Sequence, residues 1–225
     1  MQMPQGVSLL LVGSGLYWIL SGRLISSFTV LSPFQFQSLP KSQTIIAVVG
    51  IIALAAGLWN INVDVAEFHR LAAAREGYVF MIPIIMPALD VYSTLANLSL
   101  NDQLVELNPF VASAVQFGPT ALVPFLVSYI ALSEGLALLM LRMGRWLFKK
   151  TVALRFLSFS MVCGASSFAP FSNILGIALG YDTTGVYAVA AVMSTALAAI
   201  ISRILSPLSL RGVLLRSSLI AAVGR

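Results

Sequence analysis

Six apolar stretches, each about as long as a bilayer is thick, leave this chain few ways to fold. A helix rises about 1.5 Å per residue and the hydrocarbon core is about 30 Å across, so roughly 20 consecutive apolar residues cross it. Stretches of that kind cover residues 7–27, 43–61, 78–99, 120–141, 154–179 and 185–206. Of the 225 residues, 59% are hydrophobic and only 9% are charged, whereas soluble domains carry about a quarter charged residues. A water-soluble globule is therefore excluded. The expected fold is all-α, a polytopic membrane helix bundle of six transmembrane helices forming one integral domain over residues 1–225. No basic residue precedes the first stretch, Arg23 being the earliest charge, which fits a membrane span better than a signal peptide with a basic leader.

The positions of the basic residues set an expected orientation, because Lys and Arg collect on the cytoplasmic side while acidic residues count for little. With both termini inside, the inner segments hold Arg70, Arg75, Arg142, Arg145, Lys149, Lys150, Arg155, Arg203, Arg211, Arg216 and Arg225, and the outer ones only Arg23 and Lys41. The net charge of +5 thus reads as cationic helix ends against anionic lipid of the inner leaflet of the cell membrane. Nucleic acid is not an expected partner. Residues 211–225, alternating Arg and Ser with Leu, Val and Ile, form a basic amphipathic tail that either lies on that leaflet or prolongs the last helix. A single cysteine, Cys163, and a single histidine, His69, offer neither a disulfide nor a His-rich metal cluster. No cofactor and no metal are expected.

Residues 62–77, with Asp64, Glu67, His69, Arg70, Arg75 and Glu76 around Phe68 and Leu71, suggest a short amphipathic helix at the membrane surface. Glu67 and Arg70 there are three apart and share a face. Small residues recur four apart at Ala53 and Gly57, and at Ala190, Ser194, Ala198 and Ser202, a spacing that lets helices approach closely. Packing within the chain is the expected use of these stripes, ahead of a homo-oligomer interface.

Ionisable groups inside the hydrocarbon are costly unless partnered, so each asks for a reason. Asp90 lies mid-way along the third span, with Thr94 one turn on and Asn97 three further, giving an apolar helix one polar stripe. Counted at about 1.5 Å per residue from the inner end, Asp90 lies roughly 18 Å up, Thr94 roughly 24 Å and Asn173 in the fifth span roughly 28 Å, close to the outer turn that contains Glu106 and Asn108. The six residues Asp90, Thr94, Asn97, Glu106, Asn108 and Asn173 form a polar cluster or candidate ion site. Asn108-Pro109 looks like a helix start, and the apolar run to Phe117 is too short to span, so a short interfacial or re-entrant helix is expected there. Glu134 in the fourth span sits nearer the inner end and defines a second intramembrane carboxylate, expected near Arg142, Arg155 or the headgroups. Ser166-Ser167, Pro170 and Ser172 surround Asn173 in a span that the proline should kink.

The order Asp90-x3-Thr94, then Glu106-x-Asn108-Pro109 and another span, resembles the signature of a family of small archaeal and bacterial membrane proteins catalogued as a domain of unknown function. The resemblance covers residues 81–132. This chain departs from it in having Asn101-Asp102-Gln103 where glycine is usual, and Glu134 in a span that usually carries lysine. The resemblance implies that the motif matters and assigns no chemistry.

Three classes of function remain. The first expectation is an accessory or scaffold-type subunit, packed in a larger membrane complex, with the Asp90 cluster as a structural staple. The alternative is a small cation- or proton-linked transporter or channel using Asp90, although no inverted repeat marks the chain as one. An intramembrane enzyme comes last, and no catalytic residue is assigned. Ser166 and Ser167 have no intramembrane histidine as base, and clustered aspartates for magnesium are missing.

Overall fold

The computed structural model describes residues 5–28, 40–100, 119–148, 151, 154, 156–179 and 184–223, and the regular elements among them are all helical. They are α1 (Val7–Phe28), α2 (Pro40–Ala72), a 3-10 turn (Gly77–Met81), α3 (Ile82–Leu100), α4 (Pro119–Leu147), α5 (Leu157–Leu179) and α6 (Thr184–Val223). Five of the helices contain a stretch long and apolar enough to cross a bilayer, and the apolar part of α1 runs over Val7–Leu20. Large apolar side chains point outward, Ile52 at 63%, Trp59 at 87% and Val192 at 68% exposure. Buried positions include Ser128, Ser160, Ser167 and Asp64. A surface more apolar than parts of the interior is stable only in lipid, so the chain is a polytopic membrane helix bundle.

The helices run alternately up and down. In α1 and α2, Ser8 and Val12 meet Gly57 while Gly15 meets Gly50 and Leu54, so the two are antiparallel. A Cβ at Gly57 would lie 2.7 Å from the Ser8 carbonyl oxygen, and the close approach of the two backbones requires glycine. The stripe on α6 is used in the same way. A Cβ at Gly164 of α5 would lie 2.7 Å from the Ser194 carbonyl and 2.8 Å from Ala198, and Ala190 is fully buried. Ser167 and Ser194 hydroxyls, 3.2 Å apart, add a polar contact between α5 and α6. Ala53 and Ser202 are partly buried.

Two apolar clusters divide the interior. At the end where α2 and α4 carry their basic residues, Leu71, Phe80, Leu138, Leu141, Phe159, Ile201 and Leu205 close the bundle, with the Phe80 and Phe159 rings 4.9 Å apart. Nearer the other end the core among the described residues comprises Val91 and Phe125, flanked by Tyr17, Leu20, Leu95, Leu126 and Tyr129. Polar side chains enter at this level.

One expectation changes and two are made definite. Residues 62–72 are no separate surface helix but the end of α2, 33 residues and so about 50 Å long. No glycine or proline interrupts that run before Gly77, so nothing breaks the helix. The tail prolongs α6, a helix of 40 residues or about 60 Å, as one of the two alternatives had it. The fifth helix begins at Leu157 instead of residue 154. Glu106, Asn108 and the short helix expected after Asn108-Pro109 lie outside the described residues.

Asp64 and Glu67, near the end of α2, are each satisfied. Glu67 takes Arg70 at 2.8 Å, three residues along as expected, and Arg145 of α4 at 3.4 Å. Asp64, 1% exposed, accepts backbone N–H groups of Gly6 and of Ser8, the latter at 2.9 Å. It therefore caps the start of α1 from a different helix, placing a carboxylate at the positive end of the helix dipole. Gly6 has φ 84°, in the left-handed region that glycine favours, and a Cβ there would collide with the Gly135 carbonyl of α4. Hydrogen bonds to buried charged groups contribute about 1.5–3 kcal/mol, whereas exposed ion pairs give about 0–1 kcal/mol. Asp64→Ala should accordingly lower the unfolding free energy by about 2 kcal/mol, and Arg145→Ala by no more than about 1 kcal/mol, as measured by thermal unfolding in detergent.

Candidate functional site

The site begins with what α3 does between two prolines and its end. Pro83 and Pro87 are fully buried, and Pro87 has no N–H for the carbonyl of Pro83, which loosens the helix one turn before Asp90. Beyond it Asp90, Ser93, Thr94 and Asn97 follow at helical spacing and share one face toward α5. Val91 and Phe125 make the apolar contact between α3 and α4. The stripe is thus turned inward by the packing beside it.

Asn173 of α5 meets this stripe. Its Nδ2 lies 3.0 Å from Asp90 Oδ1, 3.0 Å from Thr94 Oγ1 and 3.2 Å from Ser93 Oγ, so two amide hydrogens are shared among three acceptors. Asn97 Nδ2 donates to the Asn173 carbonyl oxygen at 3.4 Å. The second carboxylate oxygen, Asp90 Oδ2, accepts from the Tyr129 hydroxyl of α4 at 3.3 Å. Asp90 is therefore held by side chains from two other helices. Four of the six expected residues, Asp90, Thr94, Asn97 and Asn173, come together, and Glu106 and Asn108 lie outside the described residues.

Counting residues along separate helices sets Asp90 about 10 Å below Asn173, yet the two are hydrogen-bonded. Most of the difference is local. The turn at Gly77–Met81 is a 3-10 helix, which rises about 2.0 Å per residue and lifts Asp90. The later start of α5 lowers Asn173 by about three residues' rise.

Asp90, Thr94 and Asn173 line a cavity of about 480 Å³ together with Tyr17, Val91, Phe125, Ser128, Tyr129, Leu132 and Ala169. Pockets for small molecules usually enclose about 300–1,000 Å³, mostly apolar with a few placed polar groups, and this one fits that description. Ser128 is committed to structure, its hydroxyl donating to the Gly13 carbonyl at 2.7 Å. Tyr17, Ser93, Ser128 and Tyr129 were not anticipated. The spacing Phe125, Ser128, Tyr129, Leu132 is a regular helical stripe, and its two hydroxyls in an otherwise apolar span were the available signal. Among the described residues no three His, Cys, Asp or Glu side chains gather as a metal would need.

Glu134 does not join this cluster. It is 4% exposed, and it pairs with no arginine in either of the ion pairs found among the described residues. Arg142, expected beside it, is exposed and lies eight residues on, about 12 Å along the helix. Arg155 lies outside the described residues.

Comparison with protein-family models, with curated proteins and with solved structures found no match. Removing the amide that joins α3 to α5 should cost stability within the range of interhelical polar contacts. Asn173→Ala is expected to lower the unfolding free energy by about 0.5–2 kcal/mol and Tyr129→Phe by about 0.5–1 kcal/mol, read from detergent melting curves. A Tyr129→Phe loss larger than that for Asn173→Ala would reverse the assigned order of the two contacts.

Proposed function

We propose that this integral membrane protein binds a small cation at Asp90, inside the bundle, and that the site serves permeation or uptake. The observation that carries the reading is the coincidence of the single carboxylate of α3 with a cavity of about 480 Å³. A carboxylate kept from bulk water attracts a cation strongly. Its oxygens accept hydrogen bonds from Asn173 and from Tyr129, which fix the group at the wall of the cavity. The aromatic rings of Tyr17, Phe125 and Tyr129 line the same space, and such walls suit cations that carry apolar groups. The apolar cluster around Phe80, Leu138, Leu141 and Phe159 closes the bundle beyond the cavity, so access is from one side. Both termini lie in the cytoplasm in this reading, with the basic helix ends on anionic lipid of the cell membrane.

A second reading has one observation in its favour. The Asp90 contacts join α3, α4 and α5, which is what a structural staple in an accessory or scaffold subunit would do. Titration with sodium, potassium and tetramethylammonium chlorides, together with efflux from liposomes, separates the two. Cation binding should vanish in Asp90→Asn, and binding that survives the substitution removes Asp90 from the site. The staple predicts only a lower melting temperature for Asp90→Asn, with co-purification of a larger partner in mild detergent. Reporter fusions at the two ends should both read cytoplasmic, and an external reading of either one overturns the orientation.

A further inference from the structure

A second carboxyl in the bundle has no counterpart to the hydrogen bonds that hold Asp90. Glu134 of α4 is 4% exposed, and among the described residues neither Oε1 nor Oε2 has a hydrogen-bond partner. It is the single polar residue among those lining a cavity of about 250 Å³ built from α1, α2, α3 and α4, beside Leu9, Phe68, Ile84, Ile130 and Ala131. Two other lining residues, Val65 at 50% and Val127 at 47% exposure, form its rim on the outer surface of the bundle. With the bundle set in lipid, this apolar rim is open to a hydrophobic molecule dissolved among the acyl chains.

The acidic groups of the helices packed against α4 are engaged elsewhere. On α2, Asp64 takes the N–H groups of Gly6 and Ser8, and Glu67 takes Arg70 and Arg145. On α3, Asp90 is bound by Asn173 and Tyr129. On α5, Cys163 is a fully buried thiol, and the single charged residue of α1, Arg23, lies fourteen residues, about 21 Å along the helix, from the cavity-lining Leu9. An isolated carboxylate in apolar surroundings is strongly disfavoured unless it is neutralised, and no cation among the described residues is placed to do so.

We propose that Glu134 is a proton-binding site reached from the lipid phase, separate from the Asp90 cavity and independent of what that cavity binds. A hydrophobic carbodiimide tests this by chemistry. The undissociated carboxyl adds across one C=N bond, its proton passing to the carbodiimide nitrogen, to give an O-acylisourea. In a site without water that ester is not hydrolysed, and the acyl group migrates from oxygen to nitrogen as a stable N-acylurea, with no leaving group and no co-reactant.

The purified full-length protein, in liposomes, is treated in parallel with dicyclohexylcarbodiimide and with a water-soluble carbodiimide, and the adduct is mapped by peptide mass spectrometry. The expected result is an N-acylurea on Glu134 with the hydrophobic reagent only, absent from Glu134→Gln and retained in Asp90→Asn. Absence of an adduct from the wild-type chain, or equal labelling by the water-soluble reagent, overturns the proposal. Infrared difference spectra between wild type and Glu134→Gln give a check that needs no reagent. The carbonyl band of an undissociated carboxyl should be lost in the variant and should resist exchange with the aqueous phase, and a carboxylate band in its place refutes the assignment.

Discussion

Hydrocarbon offers no water to a polar group, so each carboxylate in this bundle must find its partner in the protein. Asp64, Glu67, Asp90 and Glu134 answer the requirement in different ways. Asp64 takes two backbone N–H groups at the start of another helix. Glu67 takes two arginines where α2 and α4 approach the basic end. Asp90 takes an amide and a phenol from two further helices. Glu134 takes none of these among the described residues. The helix positions follow from the same requirement, since α1 sits where Asp64 can cap it and α5 sits where Asn173 reaches Asp90.

The two ends of the bundle differ in what fills them. At the basic end, aromatic and aliphatic side chains fill the space, with Phe80 on Phe159 and Leu138 and Leu141 beside them. At the level of Asp90 the contacts between α3, α4 and α5 become polar and a cavity opens. The serines along the chain cost little in such an interior because many bond to their own helix, as Ser160 does to the Phe156 carbonyl and Ser172 to that of Ala169. Serines bonded in this way leave Asn173 and Tyr129 to hold the acid.

The class of fold was legible from hydrophobic length alone, because a bilayer imposes a minimum that five of the described helices meet. The stripe Asp90, Thr94, Asn97 was legible from helical spacing, and so was the ion pair of Glu67 with Arg70. What could not be read was which helices meet. Tyr129 is a common aromatic in an apolar span until α3 places Asp90 against it. Asp64 looked like part of a surface segment, since the donors that bury it are 56 and 58 residues away in sequence. The extra length of α2 escaped notice because charged residues usually mark the end of a span. Here their charges are neutralised by α1 and α4, and the helix continues past them.

The cap on α1 bears on how the chain enters the membrane. The carboxylate that completes the first helix belongs to the far end of the second, so during synthesis α1 leaves the ribosome with its leading N–H groups open. It can settle only after some fifty-six further residues have emerged. The first two helices thus reach their final hydrogen bonding only as a pair, and the hairpin they make is the smallest unit in which the start of α1 and the buried aspartate are both satisfied.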